Sequence, residues 1–170
     1  MTETNAEQML HELMLKMIEF DAGDAERIQH FVKVASFART IGLGEGLDAD
    51  TLITLEAAAI VHDIGIHPSE EKYGDANGKH QEELGPEPAR SMLAEVGFDA
   101  ARCERVAYLV GHHHTYTDID GRDYQALVEA DFLVNLFEDG SSEDAIRSAG
   151  EKIFRTATGK QLLQTMFFGE

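Results

Sequence analysis

The spacing of apolar and polar residues predicts helices along most of the chain. Apolar side chains recur at helical intervals over about residues 6–20, and again from Asp24, a good N-cap, to about Ile41. A third helix, capped by Asp48 or Asp50, ends in an adjacent histidine and aspartate. Because the sequence shows no strand-like alternation, the pattern predicts an all-α fold.

Residues 67–85 interrupt this pattern. Pro68, Gly74, Gly78 and many charged residues fill the segment, and apolar periodicity is lost. Loops of this length in a compact domain are usually functional or disordered. We therefore expect a loop here, and its position directly after the histidine and aspartate makes it a candidate lid.

The helical pattern returns at Pro86 and continues to about Val96. Asp99 is predicted to cap a fifth helix that ends in three consecutive histidines, and Asp123 to cap a sixth that runs to about Phe137. A last helical region occupies the C-terminal part. The pattern thus predicts about seven helices in one domain.

Composition narrows the classes of partner. The 170 residues carry a net charge of −18, which repels nucleic-acid backbones and anionic lipid, so we expect neither a nucleic-acid polymer nor a membrane as partner. A small phosphorylated substrate is still compatible, because metal ions in a cleft would reverse the local sign. One cysteine, Cys103, excludes an intramolecular disulfide, and no apolar run reaches the length of a membrane span. We expect a cytoplasmic protein; its oligomeric state stays open, with a homodimer among the alternatives.

Histidines and aspartates at helix ends or on apolar helical faces are candidate metal ligands. A carboxylate in the middle of an apolar helix, such as Asp131, is costly unless it is paired or coordinated. The candidates are His30, His62, Asp63, His80, His112, His113, His114 and Asp131. Each alone is more often structural, but imidazoles and carboxylates without thiolate together suit iron, manganese, zinc or magnesium. More than four ligands favour two metal ions over one.

The order of these residues resembles the HD superfamily of metal-dependent phosphohydrolases. The resemblance covers roughly residues 24–137. Its strongest portions are Arg27-Ile28-Gln29-His30, Ala59-Ile60-Val61-His62-Asp63-Ile64-Gly65 and Glu129-Ala130-Asp131-Phe132-Leu133. It implies a single HD-type helical bundle over residues 1–170, with the N- and C-terminal helices packed on the family-like core.

The resemblance also implies a metal centre. One divalent ion would be held by His30, His62, Asp63 and Asp131. In the dinuclear branch of the superfamily, Asp63 would hold a second ion together with His80 and one member of the triple histidine run.

Which member of that run binds metal is decided only by similarity. His113 is our choice, because its distance along the chain from Asp131 is close to the corresponding gap in the diadenosine tetraphosphate hydrolases. His114 is the next candidate, since the cyclic-di-nucleotide phosphodiesterases use adjacent histidines here. His112 is expected to be structural.

The implied chemistry is hydrolysis of a phosphate ester or anhydride of a small molecule by a metal-bound hydroxide. Asp63 would orient the attacking water, and His114 or a metal-bound water would protonate the leaving oxygen. Lys72, Lys79 and Arg122 are candidates to bind phosphate, with ordinary solvated charges as the alternative.

The substrate is expected to be a nucleotide, but its identity is open. Ile66 stands where the diadenosine hydrolases commonly have lysine, and the Gly-Tyr-Pro signature of the cyclic-di-nucleotide phosphodiesterases is missing. Two other functions fit the same residues: a non-catalytic sensor that binds a metal or nucleotide, and a di-iron oxygenase on the same scaffold.

Overall fold

A computed structural model describes residues 3–169, which form ten α-helices and no strand. The helices are α1 (Glu3–Phe20), α2 (Ala25–Gly44), α3 (Ala49–Val61), α4 (Ile66–Tyr73), α5 (Gly78–Leu84), α6 (Pro86–Val96), α7 (Ala100–Val110), α8 (Arg122–Glu138), α9 (Glu143–Lys152) and α10 (Ala157–Phe168). The all-α prediction is confirmed. The expected domain of residues 1–170 includes Met1, Thr2 and Glu170, which lie outside the described residues.

Side-chain caps begin several of these helices where the sequence predicts them. The carboxylates of Asp24, Asp48 and Asp99 accept hydrogen bonds from backbone N–H groups in the first turns of α2, α3 and α7. Of the two alternatives at α3, Asp48 is therefore the cap. Ser142 does the same for α9. These caps explain why the starts of these four helices are well specified by local sequence.

The prediction of a long loop at residues 67–85 is wrong. Two short helices, α4 and α5, occupy most of it, joined by a turn in which Gly74 has a left-handed φ of 75°. The Asn77 side chain caps α5 by accepting a hydrogen bond from the Lys79 N–H. Among their residues only Ile66, Ser69 and Gln81 are buried, so neither helix shows an apolar stripe in the sequence.

Two further expectations are also corrected. Asp123 does not cap the sixth predicted helix, because α8 begins at Arg122 with Gly121 as its N-cap. The Asp123 carboxylate instead lies in the first turn, 2.7 Å from Arg105 Nη2. The last helical region is two helices, α9 and α10, separated by residues 153–156. The two helices in the expected loop and the division of the last region account for ten helices instead of about seven.

Helices α2, α3 and α8 pack against one another at the centre of the molecule. Helix α2 continues through Gly42, where the sequence predicts its end. A Cβ at Gly42 would lie 2.7 Å from Leu52 Cδ1 and 3.1 Å from Leu55 Cδ2 of α3. The glycine therefore lets α3 approach the backbone of α2 closely.

The remaining long helices surround this centre. Helix α1 packs on α3 and α6, α7 packs on α3 and α6, and α10 packs on α8, α2 and α9. Over residues 3–169, no helix is long and apolar enough to cross a lipid bilayer. The first polar residues described next lie on α2 and α8 and directly after α3.

Candidate metal centre

His30, His62, Asp63 and Asp131 meet where α2, α3 and α8 pack together. His30 Nε2 lies 3.2 Å from His62 Nε2 and 3.2 Å from Asp131 Oδ1. Asp63 Oδ2 lies 3.5 Å from His30 Nε2 and 3.4 Å from His62 Nε2. His62 is fully buried and Asp131 is 3% exposed. The structure thus brings together all four residues of the first predicted ligand set.

The other nitrogen of each imidazole is engaged elsewhere. Nδ1 of His62 lies 2.8 Å from the Ala59 carbonyl oxygen, and Nδ1 of His30 lies 2.8 Å from Glu138 Oε2. Both partners are acceptors, so Nδ1 carries the proton in each ring and donates it. The neutral tautomer that results leaves the Nε2 lone pair facing the centre of the group, as a metal-bound histidine requires.

His113 repeats this arrangement from the end of α7. Its Nδ1 donates to the Val110 carbonyl oxygen at 2.8 Å, and its Nε2 lies 3.4 Å from Asp63 Oδ1. The Nε2 atom is buried and has no hydrogen-bond partner among the described residues. A buried polar atom without a partner is costly. A metal ion beside Asp63 would remove that cost.

His114 joins Asp63 and His113 in a second group. Within residues 3–169, two sets have ligand atoms that all lie within 4.8 Å of one another: His30, His62 and Asp63, and Asp63, His113 and His114. Asp63 is shared by both sets. His114 Nε2 also lies 3.2 Å from Gln81 Oε1, and burial together with the charge of His113 lowers the pKa of His114 to about 4.

The electrostatics of the group favour a cation. Burial opposes the charged form of His62, but the carboxylates of Asp63 and Asp131 outweigh burial and raise the pKa of His62 well above its usual value. Burial acts to raise the pKa of Asp131, yet its hydrogen bonds with His30 and His62 hold it well below the usual range. The field that favours a proton on these Nε2 atoms equally favours a divalent metal ion, and the donor set fits one.

Two predicted histidines lie outside both groups. His80 Nδ1 is 2.8 Å from Asp75 Oδ1, and its ring stacks on Tyr73 with centroids 3.9 Å apart. His112 donates from Nδ1 to the Tyr108 carbonyl oxygen at 2.7 Å. In the second group His114 therefore stands where the resemblance implies His80.

Two of the three cations expected to bind phosphate contact acceptors of the chain. Lys72 Nζ lies 3.0 Å from Glu83 Oε1, and Arg122 donates to the Glu45 carbonyl oxygen at the end of α2. The Lys79 ammonium forms no ion pair with the described residues. Their roles in substrate binding stay predictions.

Several residues around the ligands were not found from the sequence. Glu138 lies two helical turns after Asp131 and holds the His30 ring, and Asn135 Nδ2 donates to Asp131 Oδ1 at 2.8 Å. The regular spacing of Asp131, Asn135 and Glu138 along one face of α8 was the available signal. Glu82 of α5 accepts the His114 backbone N–H at 3.0 Å. No sequence signal pointed to Glu82, since α5 itself was not predicted.

Tyr116 is the aromatic residue at the edge of this group. Its ring packs edge-on against Phe132, the residue after Asp131, with centroids 5.1 Å apart. Burial and the nearby carboxylates of Asp131 and Glu82 raise the pKa of Tyr116 to about 12. The phenol therefore lies close to a candidate metal ligand and to the carboxylate that anchors the His114 backbone.

Comparison with known families agrees with this site. A model of the HD domain matches residues 27–153, well over half of the chain. The chain belongs to the HD domain family. The comparison with curated proteins found no match. The matched HD region includes all eight candidate ligands and extends through α9, beyond the core of residues 24–137 that the sequence suggested.

One solved HD structure resembles most of the chain. It is the crystal structure of a predicted HD superfamily hydrolase from an uncultured Thermotogales bacterium, with a TM-score of 0.61 and 26% sequence identity over 93% of this chain and 82% of that one. HD domains bind divalent metals, and the two His/Asp groups described above could hold them. The family, the neighbour and the site together support a metal-dependent hydrolase.

Proposed function

We propose that this HD protein uses two divalent metal ions to hydrolyse a phosphate ester or anhydride of a small molecule, a nucleotide. The observation that carries the proposal is the convergence of three imidazole Nε2 atoms on Asp63 while their Nδ1 atoms donate elsewhere. If these residues only stabilised the fold, the polar atoms at the centre of the group would pair as hydrogen-bond donors and acceptors. Here the Nε2 atoms face one another and a carboxylate, which suits a cation.

The ligand roles follow from the two groups. His30, His62, Asp63 and Asp131 would hold one ion. Asp63, His113 and His114 would hold the other, so that Asp63 is shared between them. Bound divalent ions would lower the pKa of a coordinated water and withdraw charge from a phosphoryl oxygen.

His114 was also predicted as the acid that protonates the leaving oxygen. Its place beside Asp63 and His113 supports a ligand role instead. If His114 binds metal, the proton must come from a water or from another group near the site.

Charge supports a small substrate over a polymer. With a net charge of −18 the protein as a whole repels anions, so the metal ions would provide the main attraction for phosphate. A cytoplasmic location belongs to the proposal as an expectation from the sequence, and the oligomeric state stays open, with a homodimer among the alternatives.

The first experiment is metal analysis of protein purified without chelator and without a histidine tag. About two ions per chain support the shared Asp63 arrangement, since a paired site needs both groups occupied. One ion per chain limits the site to the His30 group. No ion after reconstitution with iron, manganese, zinc and magnesium contradicts the proposal.

The second experiment is an activity panel of phosphomonoesters, cyclic nucleotides and dinucleoside polyphosphates with the metal-loaded protein. We expect at least one class to be hydrolysed by the wild type and none by Asp63→Ala, which lacks the shared ligand. Asp144→Ala, which removes an exposed carboxylate from α9, is the matched control and should keep full activity. Tight nucleotide binding without turnover would support the sensor, and substrate-dependent oxygen consumption would support the oxygenase.

A third experiment separates His114 from His80 as second-ion ligand. We expect His114→Ala to reduce the metal content by one ion per chain, because its ring belongs to the group around Asp63. His80→Ala should leave the metal content unchanged, because its ring is held by Asp75 and Tyr73. The opposite result would restore the ligand set implied by the family resemblance.

A further inference from the structure

Tyr116 differs from the other exposed tyrosines in how its ring and hydroxyl are used. Tyr73 stacks on His80 and donates its hydroxyl proton to Glu83, and Tyr108 stacks on His112. Tyr116 is 42% exposed, its ring lies at 70° to that of Phe132, and its hydroxyl has no hydrogen-bond partner among the described residues. Part of an aromatic ring and one hydrogen-bond donor are therefore exposed on the residue that follows His114 by two positions.

Three hydrogen bonds of Thr115 hold the backbone next to Tyr116 in place. The Thr115 N–H donates to the His112 carbonyl oxygen at 2.7 Å, and Thr115 Oγ1 donates to Glu82 Oε1 at 3.0 Å. The Thr115 carbonyl oxygen accepts a hydrogen bond from the buried Tyr124 hydroxyl. A ring presented by a fixed backbone loses little freedom on binding, so it can contribute more to affinity than a mobile one.

The rigid ring lies next to the residues that would take the phosphate. Tyr116 follows His114 by two residues, and Phe132 directly follows Asp131. A ligand whose phosphate reached the metal ligands would extend its next group past these two rings. Because the chain as a whole carries a net charge of −18, an uncharged flat group is favoured over a second anion.

We propose that Tyr116 and Phe132 form a base-binding subsite, in which the exposed ring of Tyr116 stacks on the base of a nucleotide whose phosphate lies at the metal centre. The inference rests on the proposed function for the position of the phosphate. It adds where the base of that nucleotide binds, and it names Tyr116 as the residue that selects a planar heterocycle. The free hydroxyl is placed to donate to the base or the sugar.

The test compares two probes that differ only in the base. The probes are the phosphonate analogues of adenosine 5′-monophosphate and of ribose 5-phosphate, whose P–C bond resists hydrolysis. Their affinities for the metal-loaded protein are measured by calorimetry. Since stacking on an aromatic side chain is worth about 1–3 kcal/mol per base, we expect the wild type to bind the adenosine probe about tenfold or more tightly than the ribose probe.

Variants of Tyr116 then locate the preference. Tyr116→Ala should remove it by weakening the adenosine probe alone, and Tyr116→Phe should keep most of it because the ring remains. Tyr116→Leu, which retains an apolar contact with Phe132 but no flat ring, should behave like Tyr116→Ala and serves if the alanine variant folds poorly. Phe137→Ala, which truncates an aromatic side chain of α8 that is 67% exposed, is the control and should change neither affinity.

The outcomes separate this inference from the proposed function. Equal weakening of both probes, or no preference in the wild type, overturns the base subsite. Loss of the preference in Tyr116→Ala with unchanged metal content supports it. If the wild type prefers the adenosine probe but hydrolyses no phosphate ester, the hydrolase proposal fails and the base subsite stands. If it hydrolyses a phosphate ester without preferring the adenosine probe, the hydrolase proposal stands and the base subsite fails.

Discussion

Helix α8 buries two carboxylates, Glu129 and Asp131, in different surroundings. Glu129 is fully buried and accepts hydrogen bonds from Gln125 Nε2 at 2.7 Å and from the backbone N–H groups of Arg155 and Thr156 at 2.6 and 2.9 Å. These two N–H groups precede α10, whose dipole also favours a negative charge there. Donors from the chain itself therefore complete the surroundings of Glu129.

Asp131 lies two residues further along, so it faces another side of the helix. Its neighbours are the Nε2 atoms of His30 and His62, whose Nδ1 atoms already donate to Glu138 and to the Ala59 carbonyl oxygen. Asn135 Nδ2 donates to Asp131 Oδ1 at 2.8 Å, but the two imidazoles in this neutral tautomer offer lone pairs to the carboxylate. Its surroundings are complete only with a cation.

Glu129 and Asp131 show that a buried carboxylate does not by itself indicate a functional site. Both residues would be costly to bury alone, but donors of the chain fully compensate only Glu129. The difference lies in the partners: Glu129 is surrounded by N–H donors, whereas Asp131 has one amide donor, Asn135, and two imidazoles. The following predictions test whether one carboxylate serves the fold and the other serves a ligand.

The largest effect on stability is expected for Glu129→Ala. The change leaves buried donors of Gln125, Arg155 and Thr156 without an acceptor, which should cost about 3–5 kcal/mol. For a chain of this size, we expect the midpoint of thermal unfolding to fall by about 6–20 °C. Circular dichroism measures the midpoint.

Metal content of the folded Glu129→Ala fraction should match that of the wild type. Asp144→Ala, which removes an exposed carboxylate, is the control and should melt as the wild type does. If Glu129→Ala lost metal but kept its stability, the contrast between the two carboxylates would be reversed.

Metal removal should have the next largest effect. A ligand present at 100 times its Kd stabilises the folded state by about 2.7 kcal/mol, so chelation should lower the midpoint of thermal unfolding by about 5–10 °C. The helical signal before the transition should not change, because the apolar core surrounds the site without depending on it. Equal melting of the metal-loaded and chelated protein would contradict a stabilising metal centre.

Glu138→Gln should weaken metal binding with a smaller effect on the fold. The carboxylate that holds His30 Nδ1 is replaced by an amide, and loss of such a partner typically costs 10–100-fold in metal affinity. A competition titration with a chromophoric chelator measures the change. Glu151→Gln, an exposed glutamate of α9, is the matched control and should bind metal normally.

His112→Ala should have the smallest effect. Its ring stacks on Tyr108 and binds the Tyr108 carbonyl oxygen, so about 1 kcal/mol of stability is expected to be lost. Metal content should be unchanged, whereas His113→Ala should lose metal. If His112→Ala lost metal and His113→Ala kept it, the assignment within the triple histidine run would be wrong.

Local sequence predicted the helices that have caps and apolar periodicity. Helices α2, α3 and α7 begin after Asp24, Asp48 and Asp99 as expected, because a cap and the first turn lie next to each other in the chain. The short helices α4 and α5 were missed. Most of their residues are exposed, so their stability comes from tertiary contacts that leave no periodic pattern.

The candidate site shows the same division. His30, His62, Asp63 and Asp131 were candidates because imidazoles and carboxylates on apolar faces need partners. The resemblance to the HD superfamily then grouped these four as one ligand set. The choice between His80 and His114 depended on α5, whose Gln81 contacts His114 Nε2 at 3.2 Å. Without the position of α5, spacing along the chain could not rank the two histidines.

Local sequence was enough to predict the all-α class, the starts of the capped helices and the candidate ligands. These properties depend on residues within a few turns of one another, or on the cost of burying a polar group in an apolar stretch. Only the tertiary structure decided which nitrogen of each imidazole faces Asp63. That choice depends on acceptors such as Glu138, which is 108 residues from His30 in the chain and 2.8 Å from its ring.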